Sequence, residues 1–132
     1  MNVNRILVGT DRSETATRAV RWARDMAQRY DAELIILQAG GAKDELESYV
    51  AEHAPGSRYR VDSVEQDPAA SIIAAAEAEE VDVIIVGNVG MSGRREFLLG
   101  NIPNRVSHNA RCTVVIVDTS QPEGFRLPWR KR

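Results

Sequence analysis

Cysteine is almost missing from this chain: Cys112 stands alone among 132 residues, so no disulfide can form within it. That usage fits a reducing cytoplasm, and the place of Cys112 beside Thr113-Val114-Val115-Ile116-Val117 predicts a packed or partly buried thiol. Long apolar runs are missing too. No stretch approaches the roughly 20 apolar residues of a membrane helix. The run after Met1-Asn2-Val3-Asn4-Arg5 is too short for a secretory segment and lacks a small-residue cleavage site, so a soluble, cytoplasmic protein is expected. There is no excess of positive charge: 17 Lys and Arg face 19 Asp and Glu, and the net charge of −2 supplies no broad field for nucleic acid. Histidine is scarce, and His53 and His108 have no partner at metal-ligand spacing, so no metal site is assigned.

What is present is the composition of an ordinary globular domain, 43% apolar and 27% charged, at a length that suits one domain. Ile6-Leu7-Val8, Leu34-Ile35-Ile36-Leu37, Val83-Ile84-Ile85-Val86 and Thr113–Val117 are short, continuous apolar runs. Such runs suit strands buried on both faces of a parallel sheet. A weaker period-2 pattern at Tyr59, Val61 and Ser63 predicts one more strand. Between the runs, Ala16, Ala19, Val20, Ala23 and Ala27 recur at helical spacing behind Ser13 as N-cap, with Trp22 and Met26 extending the apolar face. Residues 14–30 therefore read as a helix, and 43–53 as a shorter one. Asp67-Pro68 opens a third, with Ile72, Ile73, Ala76 and Ala78 on its apolar side, and a short one runs through Val106 and His108. Strands alternating with helices predict an α/β domain: an open, five-stranded, mostly parallel sheet with helices on both faces. We place the domain at residues 1–118. Residues 119–132, with Pro122, Gly124 and Pro128 and ending Trp129-Arg130-Lys131-Arg132, read as a basic tail for which disorder is expected. Internal repeats and low-complexity segments are missing.

In open α/β sheets ligands bind beyond the carboxyl ends of the strands. Three of these ends carry unusual residues: Gly9-Thr10-Asp11, Gln38-Ala39-Gly40-Gly41 and Gly87-Asn88-Val89-Gly90. Glycine there lets backbone N–H groups approach phosphate oxygens, and a helix beginning near Asn101 adds unpaired N–H groups and a positive dipole end. Gly87, Gly90 and Gly100 bracket a loop containing Ser92, Gly93, Arg94 and Arg95. It is not a Walker A loop, since no Gly-Lys-Ser/Thr follows, nor a Gly-x-Gly-x-x-Gly fingerprint. Plain turn-making remains the bland reading of any one of these glycines. For Asp11 the bland reading is a turn or cap, for Arg94 and Arg95 solvent exposure, and for Arg105 a salt bridge.

These residues resemble the universal stress proteins. Nucleotide-binding members of that family carry Gly-x2-Gly-x9-Gly followed by Ser or Thr; Gly87, Gly90 and Gly100 have that spacing, with Asn101 in the last place. Ile6-Leu7-Val8-Gly9-Thr10-Asp11-Arg12-Ser13-Glu14 resembles the family's first strand and Asp-x-Ser turn, and the likeness spans roughly residues 4–118. The resemblance implies a Rossmann-like fold of the adenine nucleotide alpha hydrolase type. It implies that Asp11 and the backbone of Ala39 face adenine and ribose, with Gly9 and Thr10 among the nucleotide-binding residues. Gly87, Gly90 and Gly100, with Asn101 and Ile102, would then hold the phosphates. Asn101 can donate through its amide, but it is longer than a hydroxyl residue and differently directed, which bears on ATP before it bears on smaller nucleotides. Some actinobacterial relatives with a similar Gly-Asn-Val-Gly loop are associated with cyclic AMP, so that ligand stands beside ATP.

The sequence shows no nucleophile with an adjacent base and no poised pair of carboxylates, so no catalytic residue is assigned. Slow ATP hydrolysis is the most that the resemblance implies, and Mg²⁺ is expected only as an ion carried by the nucleotide. The resemblance further implies a homodimer through the strand at 113–117 and a role as a regulatory, stress-response module. A domain without nucleotide, working by dimerisation and protein contacts, is the alternative.

Overall fold

The computed structural model describes residues 2–62, 67–88 and 102–120. Five strands and four helices alternate along it: β1 (Arg5–Gly9), α1 (Glu14–Tyr30), β2 (Glu33–Ala39), α2 (Lys43–His53), β3 (Arg58–Asp62), α3 (Pro68–Ala78), β4 (Val83–Gly87), α4 (Ile102–Asn109) and β5 (Thr113–Val117). The strands form one sheet in the order β3-β2-β1-β4-β5, and every pairing is parallel. All five carboxyl ends therefore lie along one edge.

The continuous apolar runs are explained by which face each residue meets. Ile6 and Val8 pack with Leu34, Ile36, Val83 and Ile85 beneath α1 and α2. Their neighbours Leu7, Ile35, Leu37 and Ile84 pack beneath α3 and α4 on the other face. A strand covered on both sides has no residue to give to water, so polar alternation disappears.

Helix α1 follows its expected bounds. Ser13 Oγ accepts from the Ala16 amide at 3.2 Å, and Asp31 ends the helix in the left-handed conformation at φ 54°. Its buried face is Ala16, Ala19, Val20, Ala23 and Ala27. Trp22 departs from expectation: it lies on the flank of that face and is 44% exposed. Asp67 caps α3, accepting from the Ala70 amide at 3.0 Å, with Pro68 in the first turn. The buried face of α3 is Ala69, Ser71, Ile72, Ala75 and Ala76, whereas Ala78 is exposed; Ala69 and Ala75 belong to the face that Ala78 was expected to extend.

Topology fixes where a ligand can sit. The crossovers through α1 and α2 step from β1 to β2 to β3, and the next crossover through α3 carries the chain to β4 on the other side of β1. Strand order thus reverses between β1 and β4, leaving a crevice at their carboxyl ends.

Candidate nucleotide site at the strand ends

Beyond β1, Thr10 is buried at 1% exposure although it is polar. Its amide donates to Leu37 O at 2.9 Å, holding the β1 exit against β2. Its hydroxyl accepts from the Arg12 amide at 2.9 Å and lies 3.3 Å from Tyr49 Oη. Tyr49 Oη lies 2.7 Å from Thr17 Oγ1, which donates to Ser13 O at 2.8 Å. Each hydroxyl has one proton, so the direction follows. Thr17 gives its proton to Ser13, Tyr49 gives to Thr17, and Thr10 gives to Tyr49. The turn carrying Asp11 is thereby tied to α1 and α2. Asp11 is exposed, and its Oδ1 accepts from the Ser13 amide at 2.9 Å. That is the expected turn role. It uses one of a carboxylate's roughly four acceptor positions and leaves the others for a ligand.

Beyond β2, Gln38 is 4% exposed, and its amide is committed on both sides. Oε1 accepts from Arg12 Nε at 3.0 Å, and Nε2 donates to Gly40 O at 2.9 Å. Arg12 stands at φ 67°, uncommon for a side chain other than glycine, and its guanidinium also meets Glu45 at 3.1 Å. Ala39 is exposed and pairs in register with Asp62 of β3.

Beyond β4, Gly87 pairs with Val117, and the Asn88 amide N–H donates to Val117 O at 2.8 Å. The Asn88 side chain then ties the segment after β5 across the end of β4. Its Oδ1 accepts from the Thr119 amide at 2.9 Å, and its Nδ2 donates to Asp118 at 3.2 Å. Thr119 is fully buried, its carbonyl accepts from Arg18 at 2.8 Å, and a Cβ on Gly87 would come within 3.0 Å of its side chain. Ile102, partly buried, opens α4. That helix is fixed to α3 by Arg105, whose guanidinium meets the Asp67 carboxylate at 2.6 Å. This is the salt bridge expected for Arg105. It holds the Asp67 carboxyl below its usual range, aided by the Ala70 amide. Gly90, Gly100 and Asn101, with Ser92, Gly93, Arg94 and Arg95, lie outside the described residues, as do Ser63, Val64 and residues 121–132.

The described part of the predicted site is therefore gathered at one edge. Gly9, Thr10 and Asp11 leave β1, Gly87 leaves the neighbouring β4 and Ala39 leaves β2 on the other side. The fold has counterparts among known proteins. The profile of the "Universal stress protein family" matches residues 2–40 and 38–118. The chain belongs to the universal stress protein family.

Among its relatives, universal stress protein Rv1636 of Mycobacterium tuberculosis is 34% identical, over 87% of this chain and 96% of that one. Universal stress protein MJ0531 of Methanocaldococcus jannaschii is 26% identical, over 90% and 84%. A solved universal stress protein in complex with cAMP superposes with a TM-score of 0.73 at 30% identity, covering 91% of this chain and all of the other. The Archaeoglobus fulgidus universal stress protein in complex with dAMP, at 19% identity and a TM-score of 0.61, shares the fold.

Around these strand ends the structure brings in residues to which the sequence reading gave no role: Arg12, Thr17, Gln38, Tyr49, Asn88 and Thr119. One signal was available. Gln38 is a polar residue closing an otherwise apolar strand, and buried amides need partners. Tyr49 gave none, because its ring serves the core as any apolar residue would while its hydroxyl reaches the site.

Proposed function

We propose that this universal stress protein binds an adenine nucleotide at the crevice between β1 and β4, and that occupancy of the site is the signal it passes on. The observation that carries this is the meeting of Gly87 with the Gly9-Thr10-Asp11 exit at the point where strand order reverses. The likeness to a universal stress protein in complex with cAMP supports the same ligand class. Asp11 and the Ala39 backbone would take base and ribose. Gly87, Gly90 and Gly100 would present N–H groups to phosphate, beside Asn101 and Ile102. Mg²⁺ enters with a polyphosphate only.

Asn101 in the place of a hydroxyl residue favours a monophosphate or cyclic AMP over ATP. Isothermal titration with ATP, AMP and cyclic AMP tests the reading. Heat for at least one of them is expected, and AMP or cyclic AMP binding more tightly than ATP supports the preference. Silence for all three at millimolar ligand leaves the domain working through protein contacts instead.

The assembly we propose is a homodimer through β5. This strand closes one edge of the sheet, and Ile116 on it is 49% exposed. An apolar open edge is an aggregation hazard unless covered. Light scattering should give twice the chain mass, and a monomer at every concentration rejects the dimer. We place the protein in the cytoplasm, in stress-responsive regulation, with the domain reaching as far as the buried Thr119, one residue past the boundary expected at 118, and the basic segment that follows as a tail.

A further inference from the structure

We infer that Gln38 is the positioning residue for the base end of the nucleotide site, acting through Arg12 and Gly40; the inference rests on the nucleotide reading above. Two loops would hold the base, the β1–α1 turn with Asp11 and the β2–α2 loop after Ala39. They belong to different crossovers, and a fixed gap between them needs a tie. Gln38 supplies one. Its Oε1 accepts from Arg12 Nε at 3.0 Å on one loop, and its Nε2 donates to Gly40 O at 2.9 Å on the other.

The amide's orientation is not interchangeable, because an arginine can only donate and a carbonyl can only accept. Glutamate lacks the donor and methionine lacks both groups. At 4% exposure, little water can reach Gln38 to replace a lost partner. Other ties near this point run to the neighbouring elements: the Thr10 amide donates to Leu37 O, the Gly40 amide to Asp62 O of β3, and Arg12 meets Glu45 of α2. Ala42, at the N-cap of α2, makes no side-chain cap bond, and Gly40 and Gly41 both stand at positive φ, 74° and 84°. Arg12 is itself held in the left-handed region at φ 67°, with its amide on Thr10 and its guanidinium shared between Gln38 and Glu45. The core closes without these contacts. What they fix is the distance between the two walls of the base subsite, hence which base fits.

The test compares AMP, GMP and ribose 5-phosphate by titration of the wild type, Gln38→Met, Gln38→Glu and Arg12→Gly. In Gln38→Met, AMP should weaken about tenfold and the AMP-over-GMP preference should shrink, while ribose 5-phosphate changes little. Gln38→Glu should fail to rescue, for want of the donor to Gly40. Arg12→Gly keeps the turn's backbone conformation but leaves Gln38 Oε1 without its donor, so it should fold with a lowered thermal midpoint and weaken AMP several-fold. It decides the matter if Gln38→Met does not fold. Unchanged AMP and GMP affinities in a wild type that binds AMP overturn the inference alone. Equal losses for AMP and ribose 5-phosphate also overturn it, as general loosening. A wild type that binds none of the three, nor ATP or cyclic AMP, overturns the nucleotide reading and this inference with it.

Discussion

The side-chain amide of Gln38 occupies the space that a Cβ on Gly41 would need, and Gly41 stands at φ 84°. Two requirements thus fall on one residue: a left-handed backbone and no side chain. Gly41→Ala should lower stability by about 1–3 kcal/mol, read from urea unfolding. In a Gln38→Ala background the steric part is gone and only the backbone part remains, so the loss should be smaller. Equal losses in the two backgrounds would show that the amide is not what excludes a side chain there.

Tyr49 joins the exit of β1 to α1 through hydroxyl contacts with Thr10 and Thr17. Tyr49→Phe keeps the ring in the core and leaves the buried Thr10 hydroxyl and the partly buried Thr17 hydroxyl short of a partner. A loss of about 1–2 kcal/mol is expected by chemical denaturation, with helix content unchanged by circular dichroism. A variant as stable as the wild type would mean that the hydroxyl chain carries no net energy.

Acid should act on the Asp67–Arg105 tie. The Arg105 guanidinium, with the Ala70 amide, holds the folded Asp67 carboxyl below its ordinary value of 3.8. A carboxyl depressed on folding contributes stability above its unfolded value and loses it as pH falls through the folded one. Asp82, depressed by the amides of Asn4 and Arg5, acts in the same sense. Urea midpoints should therefore fall as pH drops below about 4. Asp67→Asn keeps an oxygen for the Ala70 amide but has no charge to lose, so its midpoint should fall less steeply. Because Asp67 and Arg105 are 43% and 40% exposed, the difference should be modest and should shrink further in high salt. Identical slopes for variant and wild type would place the acid sensitivity elsewhere.

Cys112 is partly buried, as its neighbours in sequence suggested, and its thiol is pushed above the ordinary value of 9.0 by burial and then by the nearby Asp82 carboxylate. The thiolate is the reactive form. Alkylation by iodoacetamide at pH 8 should be slower in the folded protein than in denaturant. A folded protein that reacts as fast as the unfolded chain would contradict this placement.

Much of the fold was legible in sequence because burial on two faces leaves a plain mark. Ile6-Leu7-Val8 and Val83-Ile84-Ile85-Val86 have no polar alternation since helices cover both sides, and Ser13 and Asp67 announce the helices they cap. The glycines and Asp11 marked strand exits for a similar reason, local backbone need. What the sequence by itself determined, then, was the order of elements and the parallel sheet. Tertiary structure alone decided the strand order, which puts β1 beside β4 and opens the crevice there. It alone brought Arg12, Gln38, Glu45 and Tyr49 to the same few ångströms, and Asn88 to Thr119. Those contacts join residues 26 to 33 positions apart through single hydrogen bonds. Such bonds follow no period that a sequence displays, because each depends on where the sheet has already carried its loop.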